Sequence, residues 1–220
     1  VWRLSVDSLG GASPEMLIGA RSGTVSSRVL AGTCKPGEGQ ALASSAKDLR
    51  EHELASESVS SILQRLCLDV RAQGPFLLAL PNVTHLATDI HARLGAAHLL
   101  DLVAALHPTA AVCGTPTAAA AQLISELEGM DRERYAGPVG WVDWRGEGQW
   151  CIALRSGQVL SPTAQPAGTQ GGPASYPMGN QPVGSVRIFA GAGIMPDSVA
   201  ADELAETNAK MAPMRAALGL

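Results

Sequence analysis

Met16-Leu17-Ile18-Gly19-Ala20 and Thr24-Val25-Ser26-Ser27-Arg28-Val29-Leu30, joined around Ser22-Gly23, read as two β-strands. Aliphatic and β-branched runs on either side of a glycine turn suit a pleated sheet. From about Ser44 to Val70 the period changes, with Val59, Ile62, Leu63, Leu66 and Val70 recurring on one face of a predicted helix. This switch decides the fold class. Upstream, Val1-Trp2-Arg3-Leu4-Ser5-Val6-Asp7 alternates like a half-buried strand. Downstream, a Gly/Pro-rich loop is predicted at 32–39, a short apolar strand at Phe76–Leu80, and helices at Ala96–Leu106 and Thr117–Leu127. Val139–Trp144 and Trp150–Arg155 form a predicted hairpin turning at Arg145-Gly146-Glu147-Gly148. Ser185–Ala190 is a further strand, ending at Gly191-Ala192-Gly193, and a helix from about Ser198 to Leu218 closes the chain. Strands in runs with helices between and after them indicate α+β, with largely antiparallel sheet.

The 220 residues suffice for one sizeable core, so 1–220 is read as part of a single domain. Ser161–Gly184 has no charged residue but five Pro and five Gly, and is expected to be a flexible insertion. Sixteen basic residues stand against twenty acidic ones, without a Lys/Arg-dense stretch. No nucleic acid or anionic membrane surface is therefore expected as a partner. Leu102–Ser125 lacks Asp, Glu, Lys and Arg, but His107-Pro108 and Thr115-Pro116 break it, so it is not read as a membrane span. No basic-then-apolar leader opens the chain, and Cys34, Cys67, Cys113 and Cys151 are scattered without a CxxC pair. Reduced, mostly buried thiols in a cytoplasmic protein are the expectation.

Helix arithmetic singles out several carboxylates. At 100° per residue Glu51 lies about 20° from Ile62 and so on the apolar stripe, whereas Glu53 lies about 180° away, in solvent. An inward carboxylate needs a cation, a metal or a base beside it; the alternative is a frayed first turn, where acidic residues suit the helix dipole. In the last helix Glu203, Glu206, Lys210 and Met214 share one face. Glu206 and Lys210 are either a solvated i,i+4 pair or part of a site in which Glu203 and Glu206, with Glu51, offer hard oxygens to Mg²⁺. Gly191-Ala192-Gly193 can turn unhindered N–H groups toward an anion. His52-Glu53 is not a zinc-protease motif, since position 56 is Ser56.

The order of several blocks carries a resemblance. Gly11-Ala12-Ser13-Pro14-Glu15, Leu30-Ala31-Gly32-Thr33 and Lys47-Asp48-Leu49-Arg50-Glu51-His52-Glu53-Leu54 are followed by Thr84-His85-Leu86, His107-Pro108-Thr109 and Cys113-Gly114-Thr115-Pro116. Glu126-Leu127-Glu128, Tyr135-Ala136-Gly137-Pro138-Val139-Gly140-Trp141, Phe189-Ala190-Gly191-Ala192-Gly193-Ile194 and Glu203 through Thr207 complete the series. In this order the chain resembles the chorismate-binding enzymes, whose fold is that of anthranilate synthase component I. Its Ala12-Ser13-Pro14-Glu15 and His107-Pro108-Thr109 blocks are similar to the isochorismate synthase branch.

The resemblance implies an Mg²⁺-dependent isomerase acting on chorismate, adding water at ring carbon 2 as the carbon 4 hydroxyl leaves. It implies Glu15 as the general acid, Glu51, Glu203 and Glu206 at the metal, and Arg155 on a substrate carboxylate. Gly191 would meet the other carboxylate, Lys210 would lie near metal and substrate, and Gly32, His85, Ala111 and Val112 would line the pocket. It implies a small-molecule partner, is compatible with a monomer, and covers both menaquinone and siderophore biosynthesis. At Ala110 the family usually has proline. The family's water-activating lysine lies before the Gly-Ala-Ser-Pro-Glu block, whereas the first lysine here is Lys35. The expectation is an isochorismate synthase recorded without its N-terminal strands; the alternatives are a salicylate synthase and a non-catalytic remnant that binds chorismate-like dicarboxylates.

Overall fold

The computed structural model describes residues 2–6, 8–80, 83–160 and 185–220; the expected 161–184 insertion lies outside them. The first strands are β1 (Trp2–Val6), β2 (Leu9–Ser13), β3 (Met16–Arg21) and β4 (Thr24–Cys34). Helices α1 (Gly39–Ser44) and α2 (Ala46–Leu66) follow, then β5 (Cys67–Ala79) and β6 (Thr84–Leu94). Next come α3 (Leu99–Leu106), α4 (Thr117–Leu127), β7 (Pro138–Val142), β8 (Gly148–Ile152), β9 (Ser156–Leu160), β10 (Ser185–Ile188) and α5 (Ala200–Ala217). The strands form two sheets, in the orders β5-β6-β4-β3-β8-β7 and β1-β2-β9-β10. Each pairing is antiparallel. The fold is the α+β class expected.

α2 starts at Ser45, whose side chain accepts from the Asp48 amide, and buries His52, Ala55, Val59 and Leu63. That stripe packs in one core with Val25, Val29 and Ile90 of the large sheet and with Leu99, Leu102, Val103 and Leu106 of α3. His52 adds polar anchors: Nδ1 donates to the Ala31 carbonyl at 3.2 Å, leaving Nε2 to accept from Thr88 Oγ1 at 2.7 Å. Burial holds its pKa below the usual histidine value, consistent with a neutral ring in this role.

Several expectations change here. Val70 does not extend the helix, because α2 ends at Leu66 and Cys67 turns extended. Cys67–Ala79 instead pairs with β6, kinked where Asp69 takes a positive φ of 53°. The apolar spacing continued past the true helix end, but sheet pairing prevailed. Phe76–Leu80 is the far half of that edge strand rather than a separate buried one, with Phe76 and Leu77 exposed. β4 runs into the expected loop as far as Cys34, bulging at Gly32, where φ is +78°. α3 starts at Leu99 behind a His98–Asp101 capping box.

Two adjacent strand pairs pass from one sheet to the other. β2 and β9 are partners in the small sheet, while their continuations, β3 and β8, are partners in the large one. The first crossing contains Pro14-Glu15 and the second Ala153-Leu154-Arg155. Leu4 and Leu9 from one side, with Cys151 and Ala153 from the other, fill a small core there.

Leu63 is fully buried where α2 meets the sheet. Leu63→Ala is expected to cost about 3 kcal/mol in urea unfolding, the loss of a core side chain plus its cavity. A loss under about 1 kcal/mol would mean that α2 is not packed as described.

Candidate active site

Glu15 is fixed by its own backbone. Its N–H donates to Ser13 Oγ at 3.2 Å, and its carbonyl accepts from the Ile152 N–H at 3.1 Å. The residue is 7% exposed. Burial pushes its pKa up to about 7, against the opposing pull of Arg155 and Lys210. The carboxyl is thus about half protonated near neutrality, the condition for donating a proton there.

Arg155 sits at the second crossing in a left-handed conformation, φ +49°. Its carbonyl accepts from the Ala12 N–H at 3.1 Å. Gly11 passes so close that an added Cβ would lie 2.5 Å from that same oxygen. The guanidinium is largely buried, which lowers its pKa, while Tyr135, Glu15 and Glu206 oppose that shift. Desolvated and forked, it suits a carboxylate in a bidentate grip.

These side chains face one open cleft. Ten of the eleven residues singled out in the sequence line it: Glu15, Gly32, Glu51, His85, Ala111, Val112, Arg155, Gly191, Glu206 and Lys210. At Gly32 an added Cβ would press on Leu86 and Asp48 at 3.3 Å, so the wall is tight as well as left-handed. His85 Nδ1 lies 3.0 Å from Thr33 Oγ1, whereas its Nε2 is buried without a hydrogen-bond partner. Burial, with Arg155 and Lys210, pushes its pKa down to about 4, so the ring is neutral at physiological pH. A buried unpaired nitrogen in a cleft wall calls for a polar atom from a bound molecule.

α2 and α5 supply the acidic side. Glu53 is exposed and ion-paired with Arg50, as the helix geometry predicts, whereas Glu51 is half-buried in the cleft. Burial and the neighbouring Glu206 push the Glu51 pKa up to about 7. Gly193 allows this carboxyl its place, since a Cβ there would sit 2.6 Å from Glu51 Oε1. Lys210 pairs with Glu206 and donates to the Gly191 carbonyl at 3.1 Å. The pair is therefore part of the cleft, not a solvated surface bridge.

Glu203 behaves differently. It is buried, but it does not line the cleft. Its Oε1 accepts from Lys47 Nζ at 2.7 Å and from Ser198 Oγ at 2.6 Å, tying α5 to α2. Hydrogen bonds from these two groups lower its pKa despite burial. Among the described residues, no group of three or more His, Cys, Asp or Glu is arranged to hold a metal. Glu51 and Glu206 still form a pair whose mutual repulsion a divalent cation would relieve. Two carboxylates, completed by water and substrate oxygens, are a normal Mg²⁺ donor set.

The cleft also contains Glu128, Met130, Arg132 and Tyr135, which the helix and strand patterns did not mark. Tyr135 stacks on Phe189 at 5.0 Å between ring centroids and so supports the 191–193 loop. The available signal was the Tyr135-Ala136-Gly137 block, whose side-chain role has no periodicity. No helix among the described residues is long and apolar enough to cross a membrane.

Residues 5–219 match the family described as chorismate binding enzyme, and the chain belongs to that family. It is 40% identical over 219 residues to the salicylate biosynthesis isochorismate synthase of Pseudomonas aeruginosa, covering 94% of this chain and 41% of that protein. It is 36% identical to isochorismate synthase MenF of Bacillus subtilis, covering 95% of this chain and 42% of the relative. Menaquinone-specific isochorismate synthase MenF of Escherichia coli shares the fold with a TM-score of 0.75 at 30% identity, over 94% of this chain and 45% of that structure. The chain thus spans about half the length of the relatives it matches.

A carboxyl whose pKa rises on folding makes stability fall as pH rises. Below the ordinary value of 4.5 Glu15 is protonated in both states; between 4.5 and about 7 only the unfolded chain ionises. The resulting loss is at most about 3 kcal/mol. Glu15→Gln should match the wild type in urea unfolding near pH 4.5 and exceed it progressively up to pH 8. Equal pH slopes for the two proteins would refute the shift.

Proposed function

We propose that this chain carries the chorismate site of an isochorismate synthase, the reading supported by its relatives and by the paired placement of Glu15 and Arg155. The single observation that carries it is the buried Glu15 carboxyl, with its pKa near 7, in one cleft with Arg155 and the 191–193 loop. Chorismate presents two carboxylates and a departing hydroxyl, and these groups match that set.

Arg155 binds one carboxylate through its planar fork, and the backbone around Gly191 receives the other. Between them the ring lies against Ala111 and Val112, and the unpaired His85 Nε2 meets a polar group of the ligand. Glu15 donates its proton to the carbon 4 hydroxyl, which leaves as water, while a second water bonds to carbon 2 and gives its proton to the water-activating lysine that the resemblance places before the Gly11–Glu15 block. Burial does the work here: a solvated glutamate would be almost wholly ionised at pH 7 and unable to donate. Mg²⁺, when bound, would neutralise carboxylate charge during the displacement. Glu51 and Glu206 would hold it; Glu203 would serve the same site by fixing α5 to α2 through Lys47. Lys210 steadies Glu206 and the Gly191 carbonyl.

Incubating chorismate and Mg²⁺ with the full-length protein that carries this upstream lysine, and chromatographing the products, tests the reading. Isochorismate is the expected product; salicylate with pyruvate would reject it in favour of the salicylate synthase alternative. Binding separates the roles. Arg155→Ala should weaken chorismate binding roughly 10- to 100-fold, as loss of a charge-assisted hydrogen-bond pair does. Glu15→Gln should lower turnover by about 10²- to 10⁴-fold while changing affinity little. A large loss of affinity in Glu15→Gln would make it a binding group rather than a proton donor.

A further inference from the structure

Residues 113–127, including all of α4, leave the cleft wall after Val112, and the chain returns to it at Glu128. α4 has no buried residue, and Leu123 and Leu127 on it are exposed. This excursion cannot hold the wall in place by packing. The described hydrogen bonds show what closes its neck. Arg132 Nη1 donates to the Val112 carbonyl at 2.7 Å, while Nε and Nη2 grip the two oxygens of Glu128 at 2.8 and 2.6 Å. One guanidinium therefore joins the end of the wall to the end of the excursion, and Val112, Glu128 and Arg132 line the cleft.

The turn that bears Arg132 is itself anchored. His107 Nε2 donates to the Ala136 carbonyl at 3.0 Å, tying the start of the same wall to this turn. The Ala136 N–H donates to the Ala153 carbonyl at 3.0 Å, and the Ala153 N–H to the Gly137 carbonyl at 2.8 Å, two residues before Arg155. The wall at 107–112 is thus referenced at both ends to the crossing that carries Arg155.

We propose that Arg132 is a positioning residue, which sets the distance between the Ala111–Val112 wall and Arg155 and thereby the fit of the substrate ring. The proposal rests on the chorismate reading of the cleft. It needs arginine in particular. Three divergent donors serve two partners at once, which a lysine ammonium cannot reproduce with the same geometry. The competing role, a positive charge that merely attracts an anionic substrate, would be filled by lysine.

Hydrogen exchange and chorismate titration on Arg132→Lys and Arg132→Met discriminate the two. The amides of Val112 and Cys113 donate to the Thr109 carbonyl at 3.2 and 3.0 Å and report directly on the wall. Both variants should exchange these amides roughly tenfold faster and bind chorismate, with Mg²⁺ present, roughly tenfold more weakly, the equivalent of one lost hydrogen bond to a charged group. Should the methionine variant fail to fold, the lysine variant alone decides. Exchange and affinity within twofold of wild type in Arg132→Lys would overturn the proposal. If wild-type protein takes up no chorismate, the functional reading fails instead; exchange at Val112 and Cys113 then shows separately whether Arg132 holds the wall.

Discussion

The cleft depends on a contest between burial and charge at Glu15. Arg155 and Lys210 both pull the carboxyl toward ionisation, yet removal from water outweighs them and leaves its pKa near 7. Were Glu15 a few ångströms nearer the guanidinium, the pair would become an ordinary ion pair and the acid would be spent. Were Arg155 absent, burial would push the carboxyl still higher. The two adjacent crossings between the sheets set this balance, because each carries one member of the pair and Gly11 lets the second crossing close against the first.

The acidic half of the cleft follows the same logic with a different outcome. α5 presents Glu203, Glu206 and Lys210 inward where an ordinary helix would present leucine. Each charge has a partner: Glu203 has Lys47 and Ser198, and Glu206 has Lys210. Glu51 is the exception. It lies beside Glu206 and has no direct ion pair among the described residues, feeling Lys210 and Lys47 only from a distance, and in the proposed mechanism a divalent ion would balance this pair of carboxylates.

Much of this was legible in the sequence where a period governs structure. The helical angle between Glu51 and Ile62 places one carboxylate in the cleft, and the same arithmetic puts Glu53 in solvent. The hairpin at 138–152 followed from its glycine turn. Periodicity misled at Val70, where apolar spacing outran the helix, and β6 went unread although Thr88, Ile90 and Ala92 alternate with Asp89, His91 and Arg93. Its histidines and threonines hid a central strand. Glu203 shows a deeper limit: helix geometry put it on the inward face, but Lys47, 156 residues away, determines what it binds. Arg132 belongs to the same class in part: its i,i+4 pairing with Glu128 is local, but its second partner is the Val112 backbone carbonyl, which leaves no mark in sequence.

Isotope-edited NMR titration of the Glu15 side-chain carboxyl measures the balance at the centre of this account. A midpoint close to pH 7, moving upward when Arg155 is replaced by a neutral residue, is the result expected. A midpoint near 4.5, indifferent to Arg155, would mean that Glu15 is solvated and ionised, and would contradict the proposed role of Glu15 as proton donor.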